Sequence, residues 1–461
     1  MSRNTKRISH KLVDVTRREL GISMDKEHQA SDWSGDLTPE MLSYASKDSE
    51  VLLPLARTLE AGIEGAGLQR VADIERRALP ALVRMSSAGV PFDSEGWRGR
   101  MREIEVERDR LNEELATLAP DHPEGGTWNW NSWQQLLEAF GLLGVRLPDT
   151  KEETLSRCDH PLARVLLEYR RANKMLGTYG PKLLEKVEDG RIYGSWWQVG
   201  AGTGRMACSS PNLQNLPPEV RRYVKAPEGR ELVVADYSQV ELRIAAMISG
   251  DETMLAAFAE GKDIHEITAR SLTCREEVSK AERKLAKAVN FGLLYGMAPK
   301  GLRGYARASY GVEMTREEAE RYWQGFFETY PGLRAWHDRE YRALKRGSTE
   351  TRTLAGRRRA GVTKLTERLN SPVQGTGADG LKLALALLHE RREECHGAVP
   401  ILAVHDEVVV ECGQERTAEA EAWLKGAMID GMETVVNGPE VEGPRVPIEV
   451  EIKSGKAWLD G

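Results

Sequence analysis

Hydrophobic spacing divides the chain near residue 190. Before it, apolar positions recur every three to four residues, the period of helices with one buried face. The spacing predicts a helix over 37–59, opened by Thr38-Pro39, a capping residue followed by a proline suited to a first turn. It predicts further helices over 74–87, closed by Gly89 with Pro91 beyond, and over 95–118 and 162–184, the last two long and charged. Between these two lie a Gly-, Pro- and Trp-rich loop at 121–131 and a short helix opened by Ser132. After residue 190 the texture changes. Residues 192–200 alternate like a strand, and 201–217 are rich in turn formers. Residues 232–235 are an apolar run of the type that forms a buried strand, and Asp236 stands where it ends.

The remaining pattern is mostly helical. Helices are predicted over 240–248 and 280–297, and over 315–345 with an interruption at Tyr330-Pro331-Gly332. Residues 350–359 are basic and turn-like, and 367–392 reads as a helix with Pro372 near its start. Two apolar runs, 399–404 and 408–410, flank His405-Asp406-Glu407 and predict a hairpin with carboxylates at its tip. A helix over 415–437 and a strand over 446–452 close the chain.

A chain of 461 residues is too long for one core, so about two to four domains are expected. With 40% apolar and 30% charged residues it is an ordered globular chain. No apolar run approaches the roughly eighteen residues of a membrane span, and the first ten residues lead into no signal-peptide core. No membrane association is expected. Five cysteines without paired spacing argue against disulfides or structural zinc and fit a reducing cytosol. The net charge of −6 does not exclude a nucleic-acid partner, because a binding groove is local. Basic clusters occur at Arg170-Arg171 with Lys174, at Arg221-Arg222, over 280–287 and at 357–359.

The chemistry concentrates in three segments. One strand end offers Asp236, and a hairpin tip offers Asp406 and Glu407. Two aspartates from separate strands can bridge two Mg2+ ions about 3.5–4 Å apart, the arrangement that activates an attacking oxygen and stabilises a leaving one. Between them in sequence, Arg283, Lys287, Phe291 and Tyr295 recur every four residues along one helix side. Two cations and two aromatics in a stripe suit a triphosphate with its base and sugar. The plain alternative is an amphipathic helix with rings packed inward and cations in water. Asn212, Gln214 and Asn215 either satisfy buried backbone or read minor-groove acceptors. Tyr44 and Asp48, four apart on one helical face, are either a surface pair or part of a site.

These residues resemble the three sequence motifs of the family A DNA polymerases. Residues 236–243 (DYSQVELR) resemble motif A, Arg283-x3-Lys287-x3-Phe291-x3-Tyr295-Gly296 motif B, and Val404-His405-Asp406-Glu407 motif C. Thr203-Gly204-Arg205, the 210–215 segment (SPNLQN), Asp263-Ile264-His265 and Gln374-Gly375-Thr376 follow the family's order. The N-terminus, with Tyr44, Asp48 and the 25–33 stretch, resembles the last motif of a ribonuclease H-like 3′–5′ exonuclease domain.

The resemblance implies an α+β right-hand fold with an antiparallel palm sheet. On it, 1–60 is an exonuclease remnant, 61–94 connecting helices, 95–190 a thumb, 192–250 and 370–461 the palm, and 251–369 the fingers. It implies that Asp236 and Asp406 bind two Mg2+ ions, with Mn2+ as a substitute, and that Glu407 is an accessory carboxylate. Gln239, Glu241, His265, Arg283, Lys287 and Phe291 would hold the incoming dNTP, with Tyr295 beside the templating base. Lys174, Arg205, Asn212, Gln214, Asn370, Gln374 and His405 would contact primer-template DNA. Single-subunit RNA polymerases share the two aspartates and a Lys-to-Tyr-Gly helix. Glu241, which in the DNA polymerases closes the space of a ribose 2′-hydroxyl, discriminates against that alternative, and Phe291 in place of Tyr implies weak use of dideoxynucleotides.

The sequence departs from the family in three places. Thr366 stands where many members carry an arginine, and Arg368 lies only two residues before Asn370; Ala207-Cys208 replaces the usual serines. The exonuclease's first acidic motif is missing, so no proofreading is expected from this chain. The expected protein is a monomer acting on DNA in a bacterial cytosol or a phage-infected cell. A polymerase-derived DNA-binding protein without synthesis is the alternative, and the retention of both aspartates speaks against it.

Overall fold

The computed structural model describes residues 9–24, 31–438 and 445–458. It divides into two compact units, residues 1–73 and 74–461.

In the first unit the single helix expected over 37–59 is two helices, Pro39–Glu50 and Leu52–Gly65. Thr38 caps the first, its hydroxyl accepting from the Met41 N–H at 3.2 Å. The break at Val51 follows from Pro54, which has no N–H to return to the Glu50 carbonyl. Most of the 25–33 stretch lies outside the described residues.

The second unit begins within α1 (Gln69–Ala88). Two antiparallel helices follow, α2 (Ser94–Leu118) and α3 (Pro161–Tyr179). Their far ends enclose a separate core of Leu111, Leu115, Trp128, Phe140, Leu162 and Leu166. The helix expected to reach residue 184 stops at Tyr179. Pro181 drives Gly180 out of helical geometry (ψ −132°), and a four-residue helix restarts at Pro181.

The main sheet has four antiparallel strands: β1 (Arg230–Tyr237), β2 (Val399–Val404), β3 (Glu407–Gly413) and β4 (Val450–Gly455), in the order β4-β1-β3-β2. Both faces are covered, which is why the β1 sequence runs apolar without alternation. Val233, Ala235 and Tyr237 join one core, and Leu232 joins another with Ile401, Val404 and Trp458. The last strand begins at Val450 rather than 446. Asn437 takes both backbone groups of Val446, and Pro447 lacks a donor for a ladder.

Helices cover the sheet and build the wall opposite its open end. They are α4 (Val240–Ser249), α5 (Ile264–Thr273), α6 (Lys280–Leu294), α7 (Arg316–Thr329), α8 (Leu365–Glu390) and α9 (Thr417–Val436). α6 starts with a full capping box, Ser279 with Glu282. α8 and α9 pack tightly, for a Cβ on Gly431 would stand 2.5 Å from the Ala384 backbone nitrogen. No helix among the described residues is long and apolar enough to cross a membrane.

Candidate active site

The site forms where β1, β3 and β4 end together. Glu407 on β3 and Glu451 on β4 both stand opposite Asp236 in register. The β2–β3 turn puts His405 in the left-handed region (φ 57°), and Tyr237 N–H donates to the Asp406 carbonyl at 3.3 Å. Four carboxylates from three strands and one turn are thus gathered at one sheet end.

Their electrostatics follow from that crowding. Burial pushes the Asp236 carboxyl up to about 7, and the charges of Asp406, Glu407 and Glu451 add to it. Its oxygens open into the cleft, yet the walls strip much of their hydration. Burial also raises Asp406 and Glu407; Trp458 Nε1–H, 2.7 Å from Glu407, partly offsets the latter.

A cleft of about 550 Å³ lies in front of these groups. Gln239 and Glu241 line it from the start of α4, and His265 from α5. Arg283, Lys287 and Phe291 line it from α6, with Arg205 and His405 on the wall beside Asp406. Three members of the stripe read from the sequence, Arg283, Lys287 and Phe291, therefore line the same cleft as the carboxylates, with both cations still exposed to solvent. Arg283 is bonded to Asp263 at 2.7 Å, whereas Lys287 has no ion-pair partner among the described residues. Glu241 is held from two sides, by Arg205 Nη2 at 3.1 Å and the Tyr295 hydroxyl at 2.5 Å. Tyr295 lies just past the last residue of α6.

The remaining residues are more dispersed. The Asn212 side chain accepts from the Gln214 N–H at 3.1 Å, and the Gln214 amide donates to the Ala403 carbonyl at 3.0 Å. Both thus satisfy backbone, one of the two readings left open by the sequence. Gln214 also lines a small adjoining pocket with Arg205 and His405. Asn370 and Gln374 are half-buried on α8, and Lys174 is exposed on α3; none of the three lines the cleft. Arg368 is buried in an ion pair with Glu340, an internal role. In the first unit, Tyr44 and Asp48 line a pocket with Ser23 and Lys47. Among the described residues there is no cluster of three or more His, Cys, Asp or Glu side chains arranged for a metal.

Comparison with known proteins decides the family. A model described as DNA polymerase family A matches residues 99–460. The chain belongs to DNA polymerase family A. It is 34% identical to DNA polymerase I of Aquifex aeolicus over 97% of this chain and 81% of that protein. It is 35% identical to the thermostable DNA polymerase I of Thermus aquaticus over 94% of this chain and 53% of that protein, about half its length. A solved structure described as the POL domain of Pol1 from M. smegmatis, in complex with DNA primer-template and dNTP, superposes with a TM-score of 0.80. It is 25% identical, and the match covers 98% of this chain and 79% of that one. A 3′-5′ exonuclease model matches residues 2–64. As a family A member the chain is a DNA-directed DNA polymerase, and such polymerases depend on divalent metal.

This polymerase's carboxylates fit such an ion. They are hard anionic oxygens, and burial together with the neighbouring carboxylate charges leaves Asp236 with a pKa near 7 that a cation would bring down. The sequence reading missed Glu451. Its only sequence signal is the alternation of residues 448–452 (IEVEI), which also suits a solvated edge strand.

Proposed function

We propose that this protein adds dNTPs to a primer 3′ end by nucleotidyl transfer on a template, with Asp236 and Asp406 holding two Mg2+ ions. Bound there, or replaced by Mn2+, the ions would lower the pKa of the primer hydroxyl and offset charge on the leaving pyrophosphate. Arg283 and Lys287 take triphosphate charge, and His265 donates to it. The Phe291 ring stacks on the nucleotide, with Gln239 at the same pocket and Tyr295 beside the templating base. Glu241 closes the space of a ribose 2′-hydroxyl, a role supported by the bonds from Arg205 and Tyr295 that fix its carboxylate. The observation that carries this reading is the convergence of the two aspartates and the α6 cations on one cleft.

On the same reading residues 95–190 are a thumb, 192–250 and 370–461 the palm, and 251–369 the fingers. Residues 61–94 connect them to an exonuclease-like segment, 1–60, without proofreading activity. Lys174, Arg205, Asn212, Gln214, Asn370, Gln374 and His405 contact primer and template, and the enzyme acts as a monomer. Its curated relatives are bacterial, which supports work on DNA in a bacterial or phage-infected cell.

Primer extension with Mg2+, comparing wild type with Asp406→Ala, tests the mechanism. Loss of extension is expected, and wild-type rates in the variant would overturn it. Glu241→Ala should raise NTP incorporation relative to dNTP, and Phe291→Tyr should raise dideoxynucleotide incorporation.

A further inference from the structure

His265 sits on the cleft wall with a hydrogen-bonded chain behind it. Asn290, fully buried between Lys287 and Phe291 in sequence, turns away from the cleft toward α5. Its Nδ2 is 2.8 Å from His265 Nδ1, and its Oδ1 is 2.8 Å from Thr268 Oγ1. Thr268 Oγ1 in turn lies 2.8 Å from the Tyr330 hydroxyl. Thr268 and Tyr330 have no exposed surface, and His265 keeps only 2%. Three buried polar side chains therefore stand in line behind one ring nitrogen, with the Ile264 carbonyl as a second acceptor 2.8 Å from Thr268 Oγ1 and 3.4 Å from the Tyr330 hydroxyl. In a dry interior such a chain is retained only when it is satisfied throughout.

We propose that Asn290, backed by Thr268 and Tyr330, is a positioning residue that fixes the tautomer of His265, so that Nε2–H donates into the cleft toward a phosphate oxygen of the incoming nucleotide. This rests on reading the cleft as the dNTP site.

The Thr268 hydroxyl has two acceptors at 2.8 Å, the Ile264 carbonyl and Asn290 Oδ1. On this proposal its proton goes to Oδ1, the Tyr330 hydroxyl donates to Thr268 Oγ1 rather than to the Ile264 carbonyl at 3.4 Å, and the Asn290 amide donates to Nδ1. A ring nitrogen that accepts carries no proton, so a neutral ring must carry its proton on Nε2. The reverse amide orientation would protonate Nδ1 and aim the Nε2 lone pair at phosphate oxygens, which repels rather than binds. The groups facing the ring are Asp263 on its own helix and Arg283 and Lys287 from α6. Burial, with those two cations, outweighs Asp263 and pushes the imidazolium down to about 4, so the ring stays neutral at working pH. It then binds phosphate as a fixed dipole beside two fixed cations.

Three measurements test this. In wild type, KM for dNTP should show no His265 titration between about pH 6 and 8.5, and 15N spectra of the ring should show a protonated Nε2 and a bare Nδ1. Bare Nε2 would overturn the proposal, and this readout needs no variant to fold. Asn290→Asp places an acceptor against Nδ1, so the ring is a cationic donor at low pH and presents a lone pair after losing its Nε2 proton. Its KM should rise about tenfold from low to high pH while kcat changes little; a profile as flat as wild type would overturn it. Asn290→Ala should raise KM several-fold in wild type and have no effect in a His265→Ala background. If His265→Ala raises KM but Asn290→Ala does not, the positioning role fails alone. If His265→Ala leaves KM unchanged, the reading of the dNTP site fails first.

Discussion

Two groups of charged side chains in the second unit are balanced in opposite ways. Glu75, Arg357, Asp379 and Lys382 set two carboxylates against two cations. Arg357 Nη2 lies 2.5 Å from Glu75 and 2.7 Å from Asp379, and Lys382 Nζ 2.6 Å from Glu75. Asp236, Asp406, Glu407 and Glu451 have no cation among them, and the Arg205 guanidinium beside them is tied to Glu241. The first group closes on itself, and it ties α1 to the 353–357 turn and to α8. The second is open toward the cleft and complete only with positive charge that its own side chains do not supply. A charge cluster therefore holds a fold when it is buried with a sum of zero, and marks a site when it is uncompensated and open to a cleft, as at exposed Asp236 and Glu451.

The difference is sharpest if one member is removed from each. Asp236→Asn should cut primer extension roughly a thousandfold, because several kcal/mol of metal-assisted stabilisation convert at about 1.4 kcal/mol per decade. Its metal-free melting temperature should hold or rise, since a repelling charge is gone; a large fall would mean that the aspartate supports the fold. Lys382→Met should do the reverse. It leaves Glu75 and fully buried Asp379 short of a cation and should cost about 3–5 kcal/mol in urea unfolding. Its turnover per folded molecule should stay near wild type. A cost below about 1 kcal/mol would show that the neutral cluster is not holding these elements together.

The open cluster was largely legible in the sequence and the closed one was not. Asp236 and Asp406-Glu407 each sit where an apolar run ends, so strand prediction delivers them to strand ends. The four-residue spacing of Arg283, Lys287 and Phe291 survives intact on α6. Glu75 and Lys382 stand 307 positions apart, each on a helix, where an isolated charge reads as a solvated face. Only tertiary packing brings them together. Asn290 was hidden for a similar reason: Lys287 and Phe291 on the same helix line the cleft, while it faces Thr268 and His265. Element ends failed where proline acted locally, at Pro54, Pro181 and Pro447.

Titration without metal offers a gentler way to separate the two clusters. Asp236 has a folded-state pKa of about 7 against an ordinary 3.8. Its ionisation therefore penalises the folded state. The penalty is absent below the ordinary value, grows as pH rises, and is complete above 7. Metal-free protein should lose melting temperature across that interval, and Mg2+ should restore it by a few degrees near pH 8 and far less near pH 5. Equal Mg2+ stabilisation at both pH values would mean that protons and metal do not compete at this cluster. The Lys382 variant should keep the same Mg2+ response, because the carboxylates it leaves short of a cation, Glu75 and fully buried Asp379, do not line the cleft.

The smallest effect is expected at Glu407, the member of the open cluster with a neutral side-chain donor. Glu407 accepts from Trp458 Nε1–H at 2.7 Å, and the Arg221 guanidinium stacks 4.3 Å above the same indole. Glu407 thus resembles the closed cluster more than Asp236 does, being partly satisfied by the protein. Trp458→Phe keeps most of the ring but removes that donor, so it should cost about 1–2 kcal/mol of stability and raise the Glu407 pKa further. Extension should stay within about threefold of wild type at pH 8, because a carboxylate with its own partner contributes least to the charge that metal must offset. A loss as deep as that of Asp236→Asn would move Glu407 from an accessory role to a principal one, and the division between satisfied and unsatisfied carboxylates would no longer predict which of them carry the chemistry.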